Sequence, residues 1–168
     1  TVADHDAFLE AVRSTRSILA GNPVASGGLP TYGSAVLVNI INSTGSLPVR
    51  NAQEAFFPEA NNISGESLRD HNLVRNEGCA DCPLACGRVT EIREGKYKGE
   101  HGGGPEYESV WSFGAMCGVS DLDAVVMANF LCDRYGLDTI SAGSTVACAM
   151  ELYEKGYMPG DDAPFPLH

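Results

Sequence analysis

Apolar residues recur along this chain at helical rather than strand spacing. Asp4 or Asp6 can cap a helix running to about Ala20, with Phe8, Val12 and Leu19 near one face; Gly21-Asn22-Pro23 ends it. The small-residue stretch ASGGLPTYG, residues 25–33, reads as a loop. A second helix is expected from about Ser34 to Asn42. Leu37, Val38, Ile40 and Ile41 make it apolar on most sides, so it should be buried. Residues 46–63 look irregular, and Ser64 carries the capping signal for a short helix. Residues 89–100 are strand-like, and the glycine run Gly102–Gly104 leads into a third helix at about 106–116. Asp121 caps a helix to about 135. Leu122, Val125, Val126 and Asn129 share one face of it, and Gly136 stands just past its last turn. Asp138 or Thr139 caps a final helix to about Lys155. The expected class is mainly α: one helical domain over 1–168, with irregular loops and room for one short hairpin. The tail at 159–168 should be loose.

Composition changes the picture in two ways. The chain has 168 residues, enough to bury a core as one domain. It carries 22 acidic against 11 basic residues, a net charge of −11, with no Lys/Arg cluster. That balance is the opposite of a nucleic-acid binder's. No run of about 18 apolar residues exists, so no membrane span is expected. The N-terminal TVADHDAFLEAVRSTRS has acids and no apolar core of a secretory signal, so the expected location is the cytoplasm. The chain opens without Met directly into a helix pattern, as a piece of a longer protein would.

The strongest local chemistry is in the cysteines. Three of the six fall in Gly78-Cys79-Ala-Asp-Cys82-Pro-Leu-Ala-Cys86-Gly87, a C-x2-C-x3-C loop. Such a loop can aim three thiolates at one point; Pro83 stiffens it, and Gly78 and Gly87 let it turn. A disulfide framework is disfavoured, because cysteines this close pair poorly and nothing marks secretion. Zinc usually shows a second ligand pair, absent nearby. An iron–sulfur cluster with a fourth ligand elsewhere fits best, and zinc or metal-free thiols stay open as alternatives. Cys117, Cys132 and Cys148 lie within helix patterns and read as buried small apolar side chains, any one of which could still be a fourth ligand. His5, His71, His101 and His168 are scattered and form no ligand pair.

The segment GCADCPLACGR resembles the cluster-binding segment of the aldehyde ferredoxin oxidoreductase family. The likeness extends to residues 35–51 (AVLVNIINSTGSLPVRN), to GPEYESVWSFGAMCG and to CDRYGLDTISAGSTVACAMELYEKG, in the family's order and at similar spacing. The resemblance covers about residues 30–157. It implies a piece of a longer multidomain enzyme, most of the first helical domain after a β-rich one, with cofactor sites completed by domains beyond this chain.

The resemblance also implies roles. Cys79, Cys82 and Cys86 match three of the family's four [4Fe-4S] ligands. Asp133-Arg-Tyr-Gly136-Leu137-Asp138 matches its pterin motif, where a carboxylate accepts paired N–H bonds from the ring and Leu137 meets the cofactor. Glu108 matches the family's acidic residue beside the tungsten, a candidate for proton transfer in a dry pocket. Plain local chemistry competes at each: acids in a helix's first turn, and a Gly–Asp pair between two helices. The implied cofactors are a [4Fe-4S] cluster and a tungsten (or molybdenum) bis-pterin. The implied reaction oxidises an aldehyde and passes electrons to ferredoxin or a similar acceptor. A fragment on its own is expected to be inactive. The family's bridging-metal motif is replaced by Met127-Ala-Asn-Phe130, so that dimer contact is not expected. The rival reading is a small iron–sulfur or zinc-binding module without catalysis.

Overall fold

The computed structural model describes residues 2–158. It is mainly α, as the apolar spacing predicts. α1 (His5–Gly21) starts at Asp4, whose side chain accepts the Ala7 N–H at 3.0 Å. None of its residues is fully buried: Phe8 is 50% and Ile18 69% exposed, while Leu9, Val12 and Leu19 are half-buried.

The stretch read as a loop at 25–33 is helical instead. Val24–Gly28 forms a π turn and Leu29–Tyr32 is α2. Asn22 explains this: its Oδ1 accepts the Val24 and Ala25 N–H groups at 2.9 and 3.1 Å, doing the work of a helix cap. Pro30 sits in the first turn of α2, where its missing N–H costs little. The next helix starts as a 3-10 turn at Ser34–Val36 and continues as α3 (Leu37–Ser43). It is one-sided rather than buried all round: Val38 and Asn42 are inside, while Ile40 is 52% exposed. Asn42 turns inward because it clamps Phe57 at both ends. Its Nδ2 donates to the Phe57 carbonyl at 2.9 Å, and its Oδ1 accepts the Phe57 N–H at 2.7 Å.

α4 (Gly65–His71) is capped by Ser64, as expected. Where the sequence leaves room for one hairpin, the structure has a three-stranded antiparallel sheet in the order β1-β2-β3: β1 (Leu73–Glu77), β2 (Gly87–Glu91) and β3 (His101–Gly103). β1 escapes notice because LVRNE shows no alternation and is exposed over four of its five residues. β3 takes in part of the glycine run expected only as a lead-in to a helix. Pairing of Glu77 with Gly87 closes β1 and β2 on residues 78–86, so the three clustered cysteines occupy a hairpin tip.

α5 (Tyr107–Phe113) breaks at Gly114 and resumes as a 3-10 turn, Ala115–Cys117. α6 (Leu122–Tyr135) buries Leu122, Val125, Val126, Asn129 and Phe130, the i, i+3, i+4, i+7, i+8 stripe of a core helix. Gly136 ends it in the left-handed conformation, φ 67°. Asp138 caps α7 (Thr139–Glu154). The core collects Leu47, Ile63, Leu68, Ile92, Val110, Val125 and Val126 from the connecting segments, including the residue just after β2, and from α4–α6. α7 crosses α5 in close approach at Gly143, where an added Cβ would stand 1.9 Å from Ser112 Oγ and 2.7 Å from its carbonyl carbon. Among the described residues no single helix is long and apolar enough to cross a membrane. The tail at 159–168 lies outside the described residues.

Candidate functional site

Each predicted site residue falls at the end of an element rather than inside one. Cys79, Cys82 and Cys86 lie on the β1–β2 tip; Cys79 and Cys82 are exposed and Cys86 is half-buried. The loop turns through left-handed residues Asp81 (φ 61°) and Ala85 (φ 46°), and the Cys82 N–H donates to the Cys79 carbonyl at 3.0 Å. Among the described residues no three His, Cys, Asp or Glu side chains converge closely enough to hold a metal ion. A single ion would need the three sulfurs drawn together. The donor set, three thiols within eight residues with the Asp81 carboxylate between the first two, fits a thiolate-bound group such as an iron–sulfur cluster.

The other cysteines divide. Cys117 is buried, and its thiol donates to the Ser112 and Gly143 carbonyls at 3.4 and 3.5 Å; burial pushes its pKa up to about 11. Cys132 is also buried. Cys148 departs from the expectation and is exposed, on the open side of α7. None of the three completes a ligand group with the loop.

Glu106 is the N-cap residue of α5 and Glu108 lies in its first turn. Ser34 organises this end: its hydroxyl donates to Glu106 Oε2 and accepts the Tyr107 N–H at 2.8 Å. Glu108 is exposed, so the chain as described does not supply the dry pocket expected around it. Tyr107 is half-buried against the core. Burial first, and then the Glu108 charge, push its hydroxyl above the ordinary value, so it stays protonated.

At the α6–α7 turn, Asp133, Leu137 and Asp138 are all exposed, Leu137 at 57%. Plain helix-turn chemistry accounts for part of this. The Leu137 N–H returns to the Cys132 carbonyl at 2.9 Å, and Asp138 Oδ2 accepts the Ser141 N–H at 2.7 Å. The hydrogen bonds of Ser141 hold the Asp138 carboxyl below its ordinary value. Asp133 makes no side-chain hydrogen bond among the described residues, so no local role accounts for it. The two carboxylates share one neighbour: after burial, the charges of Asp133 and Asp138 push the Cys132 thiol up.

Two contacts that the sequence does not announce join these pieces. Ser109 Oγ donates to Thr139 Oγ1 at 2.8 Å, and Ser112 Oγ donates to the Thr139 carbonyl at 2.8 Å. They bind the helix that carries Glu108 to the residue after Asp138. Arg88, two residues past Cys86, is 2% exposed. It reaches back to the Leu29 and Pro30 carbonyls at 2.7 and 3.1 Å and to Asn76 Oδ1. Burial pulls its guanidinium below the ordinary value, while the charges of Glu106 and Cys86 oppose that pull. A cleft of about 550 Å³ beside Asn72, Arg93, Asp121 and Asp123 contains none of the predicted site residues. Phe130 lies in the core and Met127 packs against it.

Residues 10–167 match the family model described as aldehyde ferredoxin oxidoreductase, domains 2 and 3. The chain belongs to the aldehyde ferredoxin oxidoreductase family. It is 49% identical over 97% of its length to a tungsten-containing aldehyde ferredoxin oxidoreductase of Thermococcus kodakarensis, and 50% identical over 98% to one of Pyrococcus furiosus. A more distant relative at 31% identity over 73% of the chain is an aliphatic sulfonate oxidoreductase, WOR-like subunit, of Pyrococcus furiosus. The chain spans 27% of the length of the first two relatives.

Proposed function

We propose that this chain forms part of a full-length cytoplasmic enzyme that oxidises an aldehyde to a carboxylic acid. In that reaction aldehyde and water become acid, two protons and two electrons, and a ferredoxin or similar carrier accepts the electrons one at a time. The observation that supports the reading is the tie between α5 and α7: it joins Ser109, next to Glu108, to Thr139, next to Asp138. Bound, a tungsten (or molybdenum) bis-pterin supplies two-electron redox chemistry and a [4Fe-4S] cluster supplies a one-electron relay.

The chain's own residues act around those groups. Cys79, Cys82 and Cys86 hold the cluster, with the fourth ligand outside this chain. Asp133 accepts N–H bonds from the pterin, Asp138 does so while capping α7, and Leu137 covers an apolar edge. Glu108 takes a proton released as water adds to the carbonyl. Its pocket becomes dry only when parts of the protein beyond this chain enclose it, so the chain alone is inactive. Tyr107, held protonated, can donate a hydrogen bond to a substrate oxygen.

The test is aldehyde-dependent reduction of a viologen dye and of ferredoxin by the anaerobically purified full-length protein. Glu108→Gln should cut turnover on the order of 100-fold with tungsten and iron retained. A tungsten-loaded wild type that oxidises no aldehyde, or a Gln variant at full activity, overturns the reading.

A further inference from the structure

We propose that Arg88 is a positioning residue for the cluster, the buried cation that sets its charge balance and raises its reduction potential. The inference rests on the cluster assignment above. Arg88 is 2% exposed, yet its hydrogen bonds go only to neutral acceptors: Asn76 Oδ1 and the Leu29 and Pro30 carbonyls. Among the described residues it takes part in no ion pair. A buried guanidinium with no paired carboxylate is costly, because neutral carbonyls satisfy its N–H groups without cancelling its charge. The charge of the nearby Glu106, whose Oε2 accepts the Ser34 hydroxyl, offsets part of this cost without an ion-pair contact.

The geometry shows which anion would compensate it. Cys86 is the residue just before β2 and Arg88 is the second residue of that strand, so the two are close along the chain. Gly33, at φ 68°, marks where the two meet. A Cβ there would stand 2.6 Å from Arg88 Nε and 3.2 Å from the Cys86 carbonyl, so this position needs glycine both for its backbone and for the space. Arg88 is thus held against the backbone of a proposed ligand, at its inner, half-buried end. A thiolate-bound four-iron cluster is anionic, and one-electron reduction makes it more so. A fixed cation in a low-dielectric setting favours the reduced form, and Arg keeps its charge at every working pH.

The experiment is a redox titration of the full-length, anaerobically purified protein, following the reduced cluster by electron paramagnetic resonance. Arg88→Gln should move the potential downward by about tenfold in the oxidised-to-reduced ratio, which is about 59 mV for one electron. Arg88→Lys should recover most of that shift, which loss of packing alone would not predict. Asn76→Asp sets a carboxylate on the guanidinium from an exposed position and should shift the potential the same way; it decides the matter if Arg88→Gln fails to fold. A wild type without iron overturns the cluster assignment and this inference together. A loaded wild type whose potential is matched by the Gln variant, or by the Asp variant where the Gln variant does not fold, overturns the inference alone.

Discussion

Replacing Gly143 by Ala should be destabilising, although alanine is the better helix former. Gly143 lies within α7, where the swap on its own would favour the helix by about 1 kcal/mol. The added methyl, however, would stand 1.9 Å from Ser112 Oγ and 2.7 Å from the Ser112 carbonyl carbon and oxygen. The hydroxyl can rotate away, but the backbone atoms cannot. To restore ordinary contact α5 and α7 must part by roughly 0.7 Å, a gap that forfeits a quarter to a half of each dispersion contact across the joint. Overpacking of this kind costs about 1–3 kcal/mol. Rotation of the hydroxyl also breaks its bond to the Thr139 carbonyl, about 1 kcal/mol more. Set against the helix gain, the net loss is about 2 kcal/mol, or roughly 30-fold in local opening. The assay is amide hydrogen exchange in the full-length protein, read on peptides covering 107–117 and 139–150. Gly28→Ala is the control: nothing lies within 4 Å of its Cβ position and its backbone is right-handed helical, so protection there should hold or rise. Unchanged protection of both helices in Gly143→Ala would refute the close-packed joint between α5 and α7.

Asn42→Ala should cost about 1–3 kcal/mol in a denaturant midpoint, because it strands the buried Phe57 N–H while the Phe57 carbonyl keeps only the Ala60 N–H; a loss below about 0.5 kcal/mol would mean water replaces the clamp. Cys117 gives a pH effect of known sign. Its folded thiol keeps its proton to about 11 while the unfolded thiol ionises near 8.5, so above pH 9 the unfolded state binds fewer protons. Stability should then fall as pH rises through 9 to 11, by at most about 1.4 kcal/mol per pH unit, and Cys117→Ala should remove that component while leaving pH 6–8 flat. A slope identical in the two proteins would assign the loss to other groups.

What was legible in the sequence follows from how locally each feature is encoded. Asp4, Ser64, Asp121 and Asp138 cap helices within three residues of themselves, and all four stand where the chain predicts. The stripe of α6 is equally local. The π turn at 24–28 was missed because small residues and glycines look like a loop unless Asn22 is seen to cap them. β1 was missed because an exposed strand is specified by its partner β2 and not by its own pattern. In the site, the Cys79–Cys86 spacing and the turn at Asp133–Asp138 could be read directly. The Ser109–Thr139 tie joins residues 30 apart, and burial of Arg88 depends on Leu29 and Pro30, 59 and 58 residues away. Only the folded chain shows those.

The central claim is that the Cys79–Cys82–Cys86 hairpin tip carries an iron–sulfur cluster inside an aldehyde-oxidising enzyme. Its most direct test is the iron, sulfide, zinc and tungsten content of the full-length protein purified without oxygen, compared with Cys82→Ser. The account predicts about four irons and four sulfides at this site in the wild type, lost in the variant while tungsten stays. Stoichiometric zinc in the wild type, or iron and sulfide undiminished in Cys82→Ser, would contradict it.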